Sequence, residues 1–197
     1  MYPLFVTNHV DSFAFSAAYI IWLLPELIST YTKNAGRNAQ LNDRNSKFAV
    51  IGGIWIGTFI GFWLAFAIPQ FAISPDRSIL FGIGIFLILA GVAFRWYAVR
   101  ALGKYFTLQV AIQPGQTVVE SGPYRLIRHP SYAGSLISIL GLGLVLSNWL
   151  SLITVLLFTT LGYSYRIWVE ELTLVNALGE PYRDYMKRTK RIIPFII

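Results

Sequence analysis

The chain predicts an all-α membrane protein of about five transmembrane helices, on three observations: a shortage of charge, a series of long apolar runs, and an alternation of positive charge between those runs. Of 197 residues, 55% are hydrophobic and 13% charged, whereas water-soluble domains carry about 25% charged residues. Such a deficit implies that much of the surface never meets water. The length favours a single unit over residues 1–197, with N-terminal helices over 1–77 and the polar motifs together with the later helices over 78–197. Met1 is followed by Tyr2 and Pro3 with no early Lys or Arg, so the first apolar stretch is expected to be a retained helix and not a cleaved leader.

A hydrocarbon core about 30 Å thick needs roughly 20 apolar helical residues. The first candidate runs from about Ser12 to Thr30; Pro25 is expected to kink it and Glu26 to sit near its cytoplasmic end. The second, Phe48 to Pro69, carries Gly53, Gly57 and Gly61 at every fourth position. That spacing gives a smooth face for close helix approach, inside the monomer or, alternatively, at a dimer interface. The third spans Ser78 to about Leu102, with Ser78 as expected N-cap after Pro75 and Asp76. The fourth begins near Ser131 and ends near Ser147, and Asn148 marks a short turn into a fifth, Trp149 to about Trp168. The last two runs therefore predict a tight helical hairpin.

Charge sets the expected orientation. Lys33, Arg37, Arg44 and Lys47 follow the first run, only Arg77 beside Asp76 follows the second, and Lys104, Arg125 and Arg128 follow the third. The turn between runs four and five has no Lys or Arg, and the tail carries Arg183, Lys187, Arg188, Lys190 and Arg191. Positive charge collects on the cytoplasmic side, which predicts an outside N-terminus and a cytoplasmic C-terminus. The net charge of +7 is then explained by orientation and anionic lipid headgroups, not by nucleic acid. With no cysteine and only His9 and His129 as histidines, disulfides, thiolate metal sites and a cysteine nucleophile are excluded, and no metal cluster is expected.

Two polar segments remain, both expected on the cytoplasmic side. Gly103 to Pro130 is a long connection punctuated by Gly and Pro, and connections of that length are commonly functional. Glu170 to Ile197 is a C-terminal segment, expected to be helical around Pro181 to Lys190. Within the first, Arg128-His129-Pro130 leads straight into the fourth run. Proline suits the first turn of a helix, and a helix N-terminus offers free N–H groups to a carboxylate. At the far end of the hairpin, Arg166 and Glu170 stand four apart on one helix face, with Glu171 next. Ionisable groups at the membrane edge are functional candidates; a salt bridge closing the helix end is the structural alternative. Because the hairpin returns to the same membrane face, Arg128 to Tyr132 should meet Arg166 to Glu171. That grouping of cations, carboxylates and a histidine suits a zwitterionic cofactor, beside apolar spans suited to a lipid.

These residues also carry a resemblance. Arg128-His129-Pro130-Ser131-Tyr132-Ala133-Gly134 resembles the Arg-His-Pro-x-Tyr-x-Gly motif of the isoprenylcysteine carboxyl methyltransferase family and its relatives, the phospholipid N-methyltransferases. Leu102 to Thr107, Arg166 with Glu170 and Glu171, and Gly179 to Tyr185 with Arg191 to Pro194 follow the same family's pattern in order. The resemblance covers roughly Ala93 to Pro194. It implies S-adenosylmethionine bound in a cytoplasmic pocket formed by the connection before the fourth helix and the C-terminal segment, with a lipid-like acceptor entering from the bilayer. Carried over, His129, Pro130, Tyr132, Gly134, Glu170 and Glu171 shape the cofactor pocket and Arg128 supports it. Arg166 holds an acceptor carboxylate by two parallel hydrogen bonds, and Glu170 would serve as base if the acceptor were an amine. The implied acceptor is the C-terminal carboxylate of a prenylated cysteine; a phospholipid amine or a small thiol, and a non-enzymatic transporter or scaffold, are the alternatives.

Overall fold

A computed structural model describes residues 2–32, 39–73 and 76–193, with side chains for all of these except 25–32. The first long helix continues through Pro25 to Thr32; the side chain of Glu26, on which the expected placement rests, is not described, and Lys33 and Arg37 lie outside the described residues. Among those described are α1 (His9–Thr32), α2 (Ser46–Ala67), α3 (Arg77–Leu102), α4 (Pro130–Val145), α5 (Trp149–Leu178) and α6 (Glu180–Arg188). Two short strands, β1 (Gln40–Leu41) and β2 (Ala111–Ile112), pair antiparallel, Gln40 opposite Ile112 and Leu41 opposite Ala111. They tie the α1–α2 loop to the long α3–α4 connection.

Three helices, Ser46–Ala67, Arg77–Tyr105 (α3 with the short 3-10 turn that continues it) and Trp149–Leu178, are long and apolar enough to cross a membrane. Large apolar side chains point outward from the bundle, among them Phe13 (78% exposed), Phe59 (75%) and Phe86 (68%). Such a surface needs an apolar solvent, and the chain is an integral, multi-pass membrane protein.

Glycines decide how the helices pair. α2 lies along α5, and the Gly53/Gly57/Gly61 stripe is the contact: a Cβ on Gly53 would stand 2.5 Å from the Phe158 carbonyl oxygen, and one on Gly57 3.0 Å from the Phe158 Cβ. The stripe therefore serves packing within the monomer. α3 lies along α4 in the same way, where a Cβ on Gly134 would meet the Arg95 backbone nitrogen at 2.7 Å and one on Gly84 the Gly141 carbonyl at 2.7 Å. α4 is the central helix; Pro130, Ile139, Leu142 and Val145 are fully buried.

The α4–α5 turn is as short as its sequence implies. Ser147 takes a positive φ of 50°, and the Asn148 side chain caps α5 by accepting from the Ser151 N–H at 3.2 Å. The Asn148 amide donates to the Ile68 carbonyl at 3.0 Å and the Ser151 hydroxyl to the Gly61 carbonyl at 2.7 Å, so the turn is stitched to the end of α2.

Two boundaries differ from expectation. Ser78 is not the N-cap of α3: Asp76 occupies that position without a side-chain cap, because the helical bonding begins with Leu80 N–H to the Asp76 carbonyl. α5 runs ten residues past Trp168, to Leu178. Nothing in Val169 to Leu178 breaks a helix, and the chain turns only at Gly179, whose φ is +63°. Glu170 and Glu171 are consequently helical, not part of a loose tail. At 1.5 Å per residue, the 30 residues of α5 extend about 45 Å, more than the roughly 30 Å of a hydrocarbon core.

Candidate active site

The site lies at the end of the bundle opposite the α4–α5 turn. Pro130 opens α4 in the first helical position and His129 precedes it as the cap residue. The C-terminal tail fixes this entrance: Arg128 N–H donates to the Lys190 carbonyl at 2.7 Å, His129 N–H to the Arg191 carbonyl at 2.9 Å, and Lys190 N–H back to the Leu126 carbonyl at 3.2 Å. α6 delivers that tail, with the Tyr185 hydroxyl donating to the Tyr124 carbonyl at 2.7 Å.

Three side chains form one relay. The Tyr132 hydroxyl donates to Glu170 Oε2 at 2.6 Å and accepts from Arg166 Nε at 3.0 Å. Arg166 and Glu170 are thus joined through Tyr132 and do not close a direct ion pair. Arg166 is 5% exposed, and its Nη1 donates to Asp43 Oδ1 at 2.8 Å and to the Ser46 hydroxyl at 3.1 Å. Nε and Nη1 are therefore engaged, and Nη2 takes no acceptor among the described residues. The two-pronged grip on a carboxylate expected from sequence is reduced to what that one nitrogen can offer. The Tyr132 ring stacks on His129, with centroids 5.4 Å apart and planes at 7°.

Glu170 and Glu171 have different surroundings although they are adjacent. The Glu170 side chain is 26% exposed, with His129 Nδ1 at 3.8 Å, and no Arg or Lys is bonded to it among the described residues. Glu171 is 5% exposed and encircled: Arg128 Nε at 2.9 Å, Arg191 Nη2 at 2.9 Å and His129 Nε2 at 3.4 Å. Arg128 also donates to the carbonyls of Met186 and Thr189, so this cluster bolts the tail to the His129 turn.

Two adjoining cavities share Phe106, Thr107, Tyr132 and Arg166. The more polar one, a cleft of about 80 Å³, is walled by His129, Ser131, Glu170 and the tyrosines 105, 124, 182 and 185 together with apolar side chains such as Leu102 and Val110. The other, about 300 Å³ and mainly apolar, runs between α1 and α2 past Trp22, Ile54, Trp55 and Thr58. Burial, then the nearby Glu170 charge, raises the pKa values of Tyr124 and Tyr182.

Of the residues expected in the pocket wall, Arg128, His129, Tyr132, Arg166 and Glu170 line the polar cleft. Pro130, Gly134 and Glu171 are not among its lining residues. Pro130 is buried at the start of α4, Gly134 is the contact with α3, and Glu171 is sealed in the arginine cluster; each positions the wall from behind. Asp43 and Ser46 were not expected. Burial opposes ionisation of Asp43, but hydrogen bonds from the Val110 and Lys47 N–H groups, the Arg166 charge and the Ser46 hydroxyl outweigh it, and its pKa is lowered. The one signal in the sequence was an acid inside an otherwise cationic loop.

Residues 83–176 match the family model described as the isoprenylcysteine carboxyl methyltransferase family. The chain is similar to the protein-S-isoprenylcysteine O-methyltransferase of Xenopus laevis, 34% identical over 139 residues, covering 68% of this chain and 48% of that protein. A probable protein-S-isoprenylcysteine O-methyltransferase of Oryza sativa subsp. indica is 32% identical over 116 residues, 58% of this chain and 61% of that one. The chain thus matches about half to three-fifths of the length of these curated relatives. A solved eukaryotic intramembrane Ras methyltransferase, an isoprenylcysteine carboxyl methyltransferase, superposes with a TM-score of 0.60 at 25% identity, covering 94% of this chain and 63% of that one. By sequence over residues 83–176 and by fold over 94% of its length, the chain is similar to the isoprenylcysteine carboxyl methyltransferases.

Proposed function

We propose that the protein transfers a methyl group from S-adenosylmethionine to the C-terminal carboxylate of a prenylated cysteine or a similar lipid-borne acid, at the inner boundary of a membrane. The observation that carries this reading is the Arg166–Tyr132–Glu170 relay standing where the polar cleft and the apolar cavity adjoin. A charged donor on one side and a greasy acceptor on the other need that junction.

The donor set suits S-adenosylmethionine. Glu170 is a partly exposed carboxylate whose Oε2 is bonded to a phenol and, among the described residues, to no Arg or Lys, as an ammonium or sulfonium would require. The tyrosines and His129 offer flat faces and donors for an aromatic base and a carboxylate. His129, Tyr132 and Glu170 would hold the group directly, with Arg128, Pro130, Gly134 and Glu171 fixing them. When bound, S-adenosylmethionine supplies a methyl group on a positively charged sulfur.

The rest of the mechanism belongs to this chain. A carboxylate acceptor is already ionised at neutral pH, so neither Glu170 nor His129 has to remove a proton. Arg166 orients the acceptor through Nη2, and Tyr132 holds Arg166 and Glu170 in a fixed relation. Alignment of this kind can supply a large part of a rate enhancement. Trp22, Ile54 and Trp55 accommodate the hydrocarbon and exclude water from the acceptor end.

The topology consistent with this chemistry has five spans, α1 to α5, with the N-terminus outside and the C-terminus and site cytoplasmic, in one domain. Support comes from the loop charges and from Asp43, which reaches from the N-terminal part into the site. Reporters fused after Asp76 and after Ile197 should fall on opposite sides; the same side for both would sink the orientation.

The function is tested with purified protein, labelled S-adenosylmethionine and a farnesylated cysteine analogue. Transfer is expected for the free carboxylate and not for its methyl ester. His129→Ala and Glu170→Gln should each weaken S-adenosylhomocysteine binding by about 1–3 kcal/mol. Transfer to a phospholipid amine or a thiol instead would replace the acceptor, and unchanged cofactor affinity in both folded variants would remove the pocket.

A further inference from the structure

Asp43 lies outside the stretch that matches the family model, residues 83–176, yet it is bonded to the centre of the site. Its Oδ1 accepts from Arg166 Nη1 at 2.8 Å, from the Val110 N–H at 2.8 Å and from the Ser46 hydroxyl at 3.2 Å. Oδ2 accepts from the Lys47 N–H at 3.2 Å. The Asn42 N–H donates to the Val110 carbonyl at 2.9 Å, beside the β1–β2 pair. The carboxylate is therefore locked by two backbone N–H groups and a hydroxyl, with its side chain 14% exposed against 6% for Arg166. It cannot swing aside to make room for a second carboxylate on Nη1.

A locked anion against a buried cation has a consequence for carboxyl methylation. As the acceptor oxygen forms its bond to carbon, the carbon–sulfur bond breaks and its electron pair stays on sulfur. The negative carboxylate and the positive sulfonium become a neutral ester and a neutral thioether, and no proton moves. A strong cation beside the acceptor stabilises the charged ground state more than the transition state, in which that charge is fading. In a poorly solvated site this penalty is amplified. The guanidinium must orient the acceptor, but its charge must be offset.

We propose that Asp43 is a positioning residue that offsets the charge of Arg166 and reserves Nη1, so that Arg166 aligns the acceptor carboxylate through Nη2 without over-stabilising it. The inference rests on the carboxyl-methylation reading above. It assigns to the N-terminal half a part in turnover, through a loop held by β1 and β2.

The test compares Asp43→Asn, Asp43→Ser and Asp43→Glu in the full-length protein, with thermal unfolding and S-adenosylhomocysteine affinity as checks on fold and cofactor site. Kinetics with the farnesylated cysteine analogue are paired with direct calorimetric binding of the analogue. Asp43→Asn keeps an oxygen acceptor but loses the charge. It should bind the acceptor more tightly, lowering both Kd and KM about threefold or more, while kcat falls about tenfold or more. Asp43→Glu should stay nearer to wild type in both. A merely structural Asp43 moves the values the other way: KM rises or stays level, and kcat per folded molecule is unchanged. Either of those results in a folded neutral variant overturns the inference while leaving the function standing. Failure of both neutral variants to fold would assign Asp43 to folding alone and overturn it too. A wild-type protein that binds S-adenosylhomocysteine but does not methylate the carboxylate sinks the acceptor reading and this inference together.

Discussion

Tyr132→Phe is the sharpest probe of the relay, because it removes one oxygen and leaves the ring. That oxygen makes two bonds to charged groups, donating to Glu170 at 2.6 Å and accepting from Arg166 at 3.0 Å. Hydrogen bonds to charged groups are worth about 1.5–3 kcal/mol each. Because both bonds share one oxygen, their losses will not simply add. Arg166 also keeps its bonds to Asp43 and Ser46, so it is loosened and not released. Losing one such bond in the transition state corresponds to a fall in kcat/KM of about 10- to 100-fold. The phenylalanine ring retains the stack on His129, but the buried Arg166 Nε loses its acceptor, so stability should fall by about 1–3 kcal/mol while the variant stays folded. S-adenosylhomocysteine affinity should fall as well, since Glu170 loses its tether. The assay is methyl transfer to a farnesylated cysteine analogue, with calorimetry for the cofactor product. A folded Tyr132→Phe enzyme with kcat/KM and product affinity both within threefold of wild type would show that the relay orders nothing that matters.

Glu171→Gln attacks the arginine cluster instead: leaving buried Arg128 without its carboxylate should cost about 3 kcal/mol of stability, seen as a lower unfolding temperature in detergent. Arg191, 51% exposed in its side chain, stays hydrated and limits the loss; an unchanged unfolding temperature would mean the cluster is dispensable. On α3, Gly91→Val should be strongly destabilising, because its Cβ would stand 2.5 Å from the Gly134 carbonyl oxygen, whereas Gly82→Ala meets nothing within 4 Å and should stabilise by about 0.5–1 kcal/mol. Equal unfolding temperatures for the two variants would refute the α3–α4 crossing. Arg166→Lys should keep the fold and the cofactor affinity but lose turnover, because an ammonium cannot bond Tyr132, Asp43 and an acceptor in the planar arrangement of a guanidinium; near-normal methyl transfer would make Arg166 a plain helix-end anchor.

Much of this architecture is legible in the sequence because its determinants are local. Apolar runs of helical length, Pro130 at a helix start, Asn148 at a turn and the four-residue glycine spacing on α2 each state their role within a few neighbours. The meeting of the Arg128–Tyr132 segment with Arg166–Glu171 was legible as well, since a two-helix hairpin must bring its ends together. What escaped was set by partners far along the chain. Asp43 pairs with Arg166 across 123 positions, and the cationic loop around it marks the acid as unusual without naming that partner. The β1–β2 pair is two residues long on each side, too short for any periodicity to register. The end of α5 was placed too early because charge at Arg166, Glu170 and Glu171 reads as departure from the membrane, whereas a helix can leave an apolar layer without ending. The contrast between Glu170 and Glu171 was equally hidden: adjacent on the chain, they face a cleft and an arginine cluster because successive helical positions are turned about 100° apart.

The burial of α4 bears on how the protein is made. Its 16 residues extend about 24 Å, short of a typical hydrocarbon core, and most of its surface is covered by its neighbours. Its first turn also carries the polar residues of the site. A helix like this gains little from lipid and much from docking into the groove that Gly84 and Gly91 open on α3. Biogenesis is then expected to be ordered: α3 enters first and waits, and α4 is drawn in only when α5 emerges and the Ser147–Asn148 turn lets the two partition as a hairpin. Lengthening that turn, or crowding the α3 groove, would strand α4 at the membrane surface and expose the chain to quality control before any cofactor could bind.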